Sequence, residues 1–242
     1  MEDFFQPFAT KRVRTPFQRL KQFVNQVWTK TFPGVYLTLC LLALIIAIWL
    51  FGAIAEDVAT GDPITIVDVR FSLWLHAHSS ASVTALMRVV TELHSLWLVA
   101  IMTLAICAYW WVRGLRDWVF TMLMAVFGGM LLNLLLKHLF LRPRPQLDHP
   151  IATLTTYSFP SGHTMMATVF YGTLCCFVLS RPASRPWKLS AIPMALVMIA
   201  LVGFSRIYLG AHYLSDVLGA IVEGSTWLAF CLISAEAMKR RQ

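Results

Sequence analysis

The chain has 242 residues, of which 58% are hydrophobic and 13% are charged, and its formal net charge is +8. Ordinary soluble domains contain about 25% charged and roughly 45–50% apolar residues, so the composition excludes that class and indicates an integral membrane protein. The positive charge does not indicate nucleic acid, because the cations are dispersed instead of forming one basic stripe with interleaved aromatic residues. The lipid bilayer and its anionic headgroups are the expected partners.

Residues 1–34 are predicted to form a basic amphipathic segment on the cytoplasmic leaflet. Phe17, Leu20, Val24 and Trp28 recur at helical spacing, and cationic and amide side chains lie between them. A solvated tail is the alternative for this segment.

Apolar runs long enough to cross a bilayer core, which takes about 20 residues, follow along the rest of the chain. Six such runs lie at 35–55, 95–112, 118–136, 164–180, 189–207 and 213–235. Residues 64–94 show helical periodicity without a spanning run, which predicts interfacial helices that form a lid or lateral entrance. We therefore predict an all-α fold, a six-span transmembrane helix bundle with interfacial helices, over residues 35–242.

The orientation of the chain in the membrane follows from its lysine and arginine residues, which remain on the cytoplasmic side when they lie in short loops. A cytoplasmic N-terminus places most of the 20 such residues in the cytoplasm. The cations left outside are Arg70, Arg88, Lys137, Arg142, Arg144 and Arg206. We therefore expect both termini to be cytoplasmic and the side that carries these cations to be extracytoplasmic.

Three of these cations belong to clusters that suit a phosphate group. Lys137 ends the third run and Arg144 follows it between two prolines, so the pair can clamp a phosphate dianion, and Arg206 ends the fifth run as a third cation. Ser161 and Gly162 precede the fourth run, where a serine cap, a close backbone approach and the helix N-terminus favour phosphate oxygens. Taken singly, each cluster is equally typical of a membrane anchor or a helix cap.

A histidine and a carboxylate supply the reactive part of the predicted site. His212 and Asp216 lie four residues apart and therefore share one helix face. The carboxylate can hold the imidazole in one tautomer, which leaves the other ring nitrogen with a lone pair able to attack phosphorus. His163 is the remaining group placed to donate a proton to the leaving oxygen.

Together the clusters resemble the signature of the type 2 phosphatidic acid phosphatase superfamily. The pattern reads Lys137, six residues, Arg144-Pro145; then Pro160-Ser161-Gly162-His163; then Ser205-Arg206, five residues, His212, three residues, Asp216. The resemblance implies hydrolysis of a phosphomonoester or pyrophosphate on a membrane lipid, such as undecaprenyl diphosphate, phosphatidylglycerophosphate, phosphatidate or lipid A. It also implies a bacterial inner membrane protein.

The roles of individual residues come from the same resemblance. It implies that His212 forms a phosphohistidine, that Asp216 orients it, and that His163 acts first as acid and then as base. It implies that Lys137, Arg144, Ser161, Gly162 and Arg206 bind phosphate, and that neither a metal nor another cofactor takes part. The alternatives are a lipid phosphotransferase and a lipid-phosphate binder or transporter without turnover; a haloperoxidase is disfavoured because those relatives are soluble.

The remaining polar residues give fewer predictions. The outer loops offer Asp148 and Asp216 but no carboxylate cluster for a two-metal centre. Glu223 either supports the buried end of the site or hydrogen-bonds a neighbouring helix, and we favour the second reading. Arg142 and His149 either contact a lipid headgroup or have no role. The cysteines all fall within apolar runs, so we predict no disulfide.

Overall fold

The computed structural model describes residues 33–61, 63–146, 156–182 and 185–239. The amphipathic segment predicted within 1–34 and the residues Asp148 and His149 lie outside this part of the chain. The chain divides into two compact units, Met1–Ile45 and Ile46–Gln242. The features that follow belong to the second unit, apart from the beginning of the first helix.

Helices make up most of the described chain, which contains no strand, and this confirms the predicted all-α class. Numbered in chain order, the helices are α1 Pro33–Thr60, α2 Pro63–Ala77, α3 Ala81–Leu93, α4 Leu96–Val112, α5 Arg116–Leu123, α6 Gly129–Phe140, α7 Gly162–Ser180, α8 Arg185–Tyr208 and α9 Leu214–Lys239. A π-helical turn, Met124–Gly128, joins α5 to α6 without a break.

Four continuous helices have the length and apolar composition needed to cross a membrane. They are Arg116–Phe140, Gly162–Ser180, Pro186–Tyr208 and Leu214–Met238, which match the last four predicted runs. Two bent pairs qualify only when each is taken as one span: Leu44–Thr60 with Ile64–Ala77, at 78°, and Ala81–Leu93 with Leu96–Val112, at 48°. The protein is therefore an integral membrane protein with four to six spans.

The stretch predicted as interfacial, 64–94, forms the two helices α2 and α3. Their apolar faces pack on α8 and α9, where Leu75, Met87, Ile207, Tyr208 and Val217 form a buried cluster. A larger cluster joins α4, α5, α7 and α9 around Trp110, Met122 and Val169. The two helices are thus packed against the bundle, while their placement at the membrane surface stays a prediction.

Small residues bring α7, α8 and α9 into close contact. A Cβ atom on Gly224 of α9 would lie 2.9 Å from Cβ of Thr168 on α7, and one on Gly203 of α8 would lie 2.7 Å from Cγ1 of Val217 on α9. Small residues of this kind let helix backbones approach closely within a membrane. The approach brings the first turns of α7 and α9 and the last turn of α8 to one place.

We predict that Gly203→Ala destabilises the protein, because Val217 is β-branched and cannot move its methyl group away cheaply. Overpacking of this kind costs about 1–3 kcal/mol. The measurement is the thermal unfolding midpoint in detergent. Gly52→Ala is the matched control, since nothing lies within 4 Å of a Cβ there, and equal midpoints for the two variants would contradict the packing described.

Candidate active site

The predicted site residues lie at the ends of four helices that meet. Lys137 ends α6, Ser161 and His163 are at the start of α7, Arg206 ends α8, and Asp216 is in the first turn of α9. The backbone N–H of Ser161 donates to the carbonyl of Asp216 at 3.1 Å, which joins α7 to α9. All of these side chains are buried except that of His163, which is partly buried.

His212 precedes Leu214, the first residue of α9, so the prediction that it shares a helix face with Asp216 is wrong. The turn before α9 instead places its ring between a carboxylate and a guanidinium. Its Nδ1 is 3.3 Å from Oδ2 of Asp216, and its Nε2 is 3.2 Å from Nη1 of Arg144. A guanidinium can only donate hydrogen bonds, so Nε2 carries the lone pair and Nδ1 carries the proton. The ring is therefore in the tautomer that a histidine nucleophile requires, with its lone pair directed at a cation.

The electrostatic setting of His212 keeps its ring neutral. Burial is the main cause that lowers its pKa from 6.5 to about 3, and the charges of Lys137 and Arg144 act in the same direction. The hydrogen bond and the charge of Asp216 act in the opposite direction and are outweighed. A neutral imidazole retains the lone pair needed for attack on phosphorus.

Asp216 is held by groups other than the histidine. Its Oδ2 accepts the backbone N–H of Tyr213 at 2.9 Å and the hydroxyl of Ser158, and its Oδ1 accepts Nη1 of Arg142 at 2.6 Å. A carboxylate in the first turn of a helix is also favoured by the helix dipole. The orientation of the carboxylate is therefore set by the fold before any ligand binds.

Lys137 and Arg144 are held by carbonyl oxygens. Nζ of Lys137 donates to the carbonyls of Tyr157 and Ser158 at 2.8 and 3.3 Å. Arg144 donates to the carbonyl of Thr156 and to that of Ala211, each at 2.6 Å. The segment that carries Thr156 and Ser158 therefore fixes both cations through neutral partners.

Arg206, in the last turn of α8, is held by a residue of α3. Its Nη1 donates to Oγ1 of Thr91, while its Nε is buried without a hydrogen-bond partner within the described chain. Neither Arg206 nor Lys137 nor Arg144 forms an ion pair with a carboxylate among the described residues. Their charge therefore remains available to an anion, and charge-assisted hydrogen bonds to phosphate are strong.

Gly162 and Glu223 both border Asn133 on α6. A Cβ on Gly162 would lie 3.2 Å from Oδ1 of Asn133 and 3.9 Å from Cε of Lys137. Nδ2 of Asn133 donates to Oε2 of Glu223 at 2.9 Å. The hydrogen bond from Glu223 to a neighbouring helix, which we expected, is therefore present.

His163 occupies the first turn of α7. It lies within electrostatic range of Arg206, His212 and Arg144. The structure thus brings together all eight predicted residues, including His163 as a second imidazole near the first.

Arg142 departs from both predictions made for it. It neither reaches a headgroup nor lies idle, because it is only 8% exposed and forms ion pairs with Asp68 at 2.8 Å and with Asp216 at 2.6 Å. Leu141 takes a left-handed φ of 49° and ends α6, and the chain then turns so that Arg142 is buried. Burial alone would lower the pKa of Arg142, but the two carboxylates raise it.

Several contacts of the site were not predicted at all. Thr91 on α3 and Ser158 before α7 hold the signature residues Arg206 and Asp216, although each looks in the sequence like an ordinary polar residue. Asp68 on α2 holds Arg142, which in turn binds Asp216. The one available sequence signal was Asp68 itself, a carboxylate between Val67 and Val69. A charge in such a place usually has a buried partner.

Within the described residues, no group of three or more His, Cys, Asp or Glu side chains is arranged to hold a metal ion. The cysteines described there, Cys107, Cys175, Cys176 and Cys231, are free thiols.

Fold and site together define the class: an all-helical integral membrane protein with a histidine–aspartate pair among buried cations. The model of the PAP2 superfamily matches residues 118–239, which include every signature cluster. The chain belongs to the PAP2 superfamily.

Curated relatives are similar over part of their length. Phosphatidylglycerophosphatase B of Bacillus subtilis strain 168 is 36% identical over 129 residues, which are 52% of this chain and 62% of the relative. Undecaprenyl-diphosphatase BcrC of the same strain is 34% identical over 99 residues, 39% of this chain and 46% of the relative. The chain thus spans about half to three fifths of the length of these two relatives.

Solved structures extend the likeness to most of the fold. The crystal structure of a transmembrane PAP2-type phosphatidylglycerolphosphate phosphatase from Bacillus subtilis has a TM-score of 0.73 and 26% identity, covering 82% of this chain and 98% of that one. Aquifex aeolicus LpxE, with a TM-score of 0.55 and 20% identity over 69% of this chain and 94% of its own, shares the fold.

We predict that the His212 imidazole stays neutral at pH 5, where a histidine with the ordinary pKa of about 6.5 would be almost fully protonated. The sign follows from burial, which disfavours the charged ring and lowers the pKa to about 3. The measurement is a ¹⁵N NMR titration of the histidine side chains in detergent, with the His212 signals assigned by their loss in His212→Gln. A midpoint near 6.5 for these signals would contradict the electrostatic account.

Proposed function

We propose that this protein is a membrane lipid phosphatase that hydrolyses a phosphomonoester or pyrophosphate bond through a phosphohistidine on His212. The observation that carries the proposal is the orientation of His212, whose Nδ1 faces Asp216 and whose Nε2 lone pair faces Arg144. A protein that only bound lipid phosphates would need the cations but would have no use for an oriented, neutral imidazole among them.

The first step forms the covalent intermediate. The phosphoryl group binds between Lys137, Arg144 and Arg206 and the first amides of α7. Arg144 then donates its hydrogen bond to a phosphate oxygen instead of to Nε2 of His212, and it keeps its proton. Nε2 then attacks phosphorus in line, the bond to the leaving oxygen breaks, and His163 gives its proton to that oxygen. The cations stabilise the charge on the equatorial oxygens, and Asp216 stabilises the ring as it becomes cationic.

The second step restores the enzyme. His163, now neutral, accepts a proton from a water molecule whose oxygen attacks the phosphohistidine. The bond between phosphorus and Nε2 breaks, inorganic phosphate leaves, and the electron pair returns to the imidazole. No step requires a metal ion, so we propose a metal-independent enzyme.

The substrate class rests on the membrane setting and on the relatives. The site lies at the ends of membrane-spanning helices, where a lipid headgroup meets water, and the similar proteins are named for phosphatidylglycerophosphate and undecaprenyl diphosphate. We propose a lipid phosphate or diphosphate of this kind, including phosphatidate and lipid A types. The distribution of cations supports a site that faces away from the cytoplasm of a bacterial inner membrane, with both termini inside.

We predict that His212→Ala reduces phosphate release from lipid substrates by at least about 10³-fold, because no other side chain replaces the nucleophile. The measurement is phosphate release in detergent across a panel of lipid monophosphates and diphosphates. His78→Ala is the control, because His78 follows α2, is exposed, and contacts Trp74 through its ring and through the Trp74 carbonyl. Tight lipid binding without turnover by the unaltered protein would support the binder instead, and phosphate transfer to an added lipid alcohol would support the transferase.

We predict that His163→Ala slows formation of the phosphohistidine much more with an alkyl lipid phosphate than with an aryl phosphate. An aryl oxide leaves without a proton, whereas an alkoxide needs one from His163. The second step still needs the base, so ³²P-labelled phosphohistidine should accumulate with the aryl substrate and be trapped by an alkaline quench. Equal slowing of phosphohistidine formation with both substrates would show that His163 is not the acid.

A further inference from the structure

A buried carboxylate outside the family signature touches the catalytic machinery. Asp68 lies on α2, is 1% exposed, and its Oδ2 accepts Nη2 of Arg142 at 2.8 Å. Its Oδ1 accepts the backbone N–H of Ser215 at 2.9 Å, and the hydroxyl of Ser215 donates to Oδ2. Asp68 therefore binds both Arg142 and the first turn of α9 from a separate helix.

Arg142 uses its other terminal nitrogen for Asp216. Nη1 donates to Oδ1 of Asp216 at 2.6 Å and to Oγ of Ser215 at 2.7 Å, and the guanidinium lies 4.4 Å from the ring centre of Tyr213. One guanidinium thus joins two buried carboxylates, with a different nitrogen on each. This division leaves Oδ2 of Asp216 to His212, Tyr213 and Ser158.

The division is not the arrangement that Arg142 and Asp216 would adopt by themselves. Arginine and a carboxylate frequently pair through two parallel hydrogen bonds, which would engage both oxygens of Asp216. Such a pair would compete with Nδ1 of His212 for Oδ2 and leave the imidazole without its fixed tautomer. In this structure Nη2 is directed to Oδ2 of Asp68, so parallel pairing of Nη1 and Nη2 with Asp216 would require this hydrogen bond to bend or break.

We propose that Asp68 is a positioning residue that binds Nη2 of Arg142, restricts Arg142 to Oδ1 of Asp216, and so reserves Oδ2 for His212. Asp68 does not contact the substrate; it acts through Arg142 and Asp216. Because Asp68 lies on α2, this helix contributes to catalysis although none of its residues belongs to the signature. The kinetic consequences of this inference rest on the proposed function. Its structural consequence, a change in the hydrogen bond between His212 and Asp216, does not.

The kinetic test compares Asp68→Asn with Glu56→Gln, which changes an exposed carboxylate on α1. We expect Asp68→Asn to lower kcat by up to about 10²-fold, the loss typical of a misplaced catalytic group, with KM changed by less than about twofold. Glu56→Gln should leave both unchanged. A raised KM with unchanged kcat, or a loss that matches the fraction of unfolded protein, would overturn the proposal.

A double variant separates positioning from simple anchoring of α2. Asp68→Asn combined with Arg142→Met removes the guanidinium that would otherwise take both oxygens of Asp216. We therefore expect the double variant to be more active than Asp68→Asn alone. If Asp68 only anchored the helix, the second substitution would remove another buried contact and lower activity further, and that result would overturn the proposal.

A spectroscopic readout keeps the inference separate from the proposed function. The Nδ1–H signal of His212 should shift upfield in Asp68→Asn, as its hydrogen bond to Asp216 weakens, and return in the double variant. An unchanged signal in Asp68→Asn would overturn the inference whatever the substrate. Conversely, if the wild-type protein released no phosphate from any lipid, the proposed function would be refuted. The Nδ1–H signal of His212 would still test the inference in that case.

Discussion

The contact between Asp216 and His212 at the start of α9 is the interaction on which the rest of the site depends. It sets which imidazole nitrogen carries the proton, and therefore which one faces the cations. Asp216 can do this because its Oδ2 is held by the N-terminus of α9 and by Ser158, while Arg142 occupies only its Oδ1. A carboxylate at this depth would be costly without such partners, and each of them comes from a different part of the chain.

The cations of the site form two groups, which differ in whether a carboxylate of the protein balances their charge. Arg142 lies between Asp68 and Asp216, so its charge is balanced within the protein. Lys137 and Arg144 contact carbonyl oxygens, and Arg206 contacts a hydroxyl. Carbonyl and hydroxyl dipoles reduce the cost of burying these cations without cancelling their charge. A phosphate that enters the second group supplies the missing negative charge, which is a physical reason for selective binding of anions.

The helices α2 and α3 connect the site to the rest of the second unit. α2 packs on α8 and α9, and α3 packs on α8. Each also contributes one polar side chain that binds an arginine, Asp68 for Arg142 and Thr91 for Arg206. The position of both arginines thus depends on helices that have no place in the signature. Sequence differences in these two helices among related proteins would therefore change the positions of Arg142 and Arg206, even where the signature is identical.

The sequence by itself determined the helical class, the four long spans and the composition of the site, because run length, helical spacing and side-chain chemistry are local properties. The spacing of four residues between His212 and Asp216 predicted a shared helix face. In the structure α9 begins at Leu214, so the turn before the helix brings the ring to the carboxylate. The roles of Asp68, Thr91 and Ser158, and the burial of Arg142, were decided only by the tertiary structure. They depend on contacts between residues far apart in the chain, which no local pattern encodes, and on packing of α7, α8 and α9 close enough for those contacts to form.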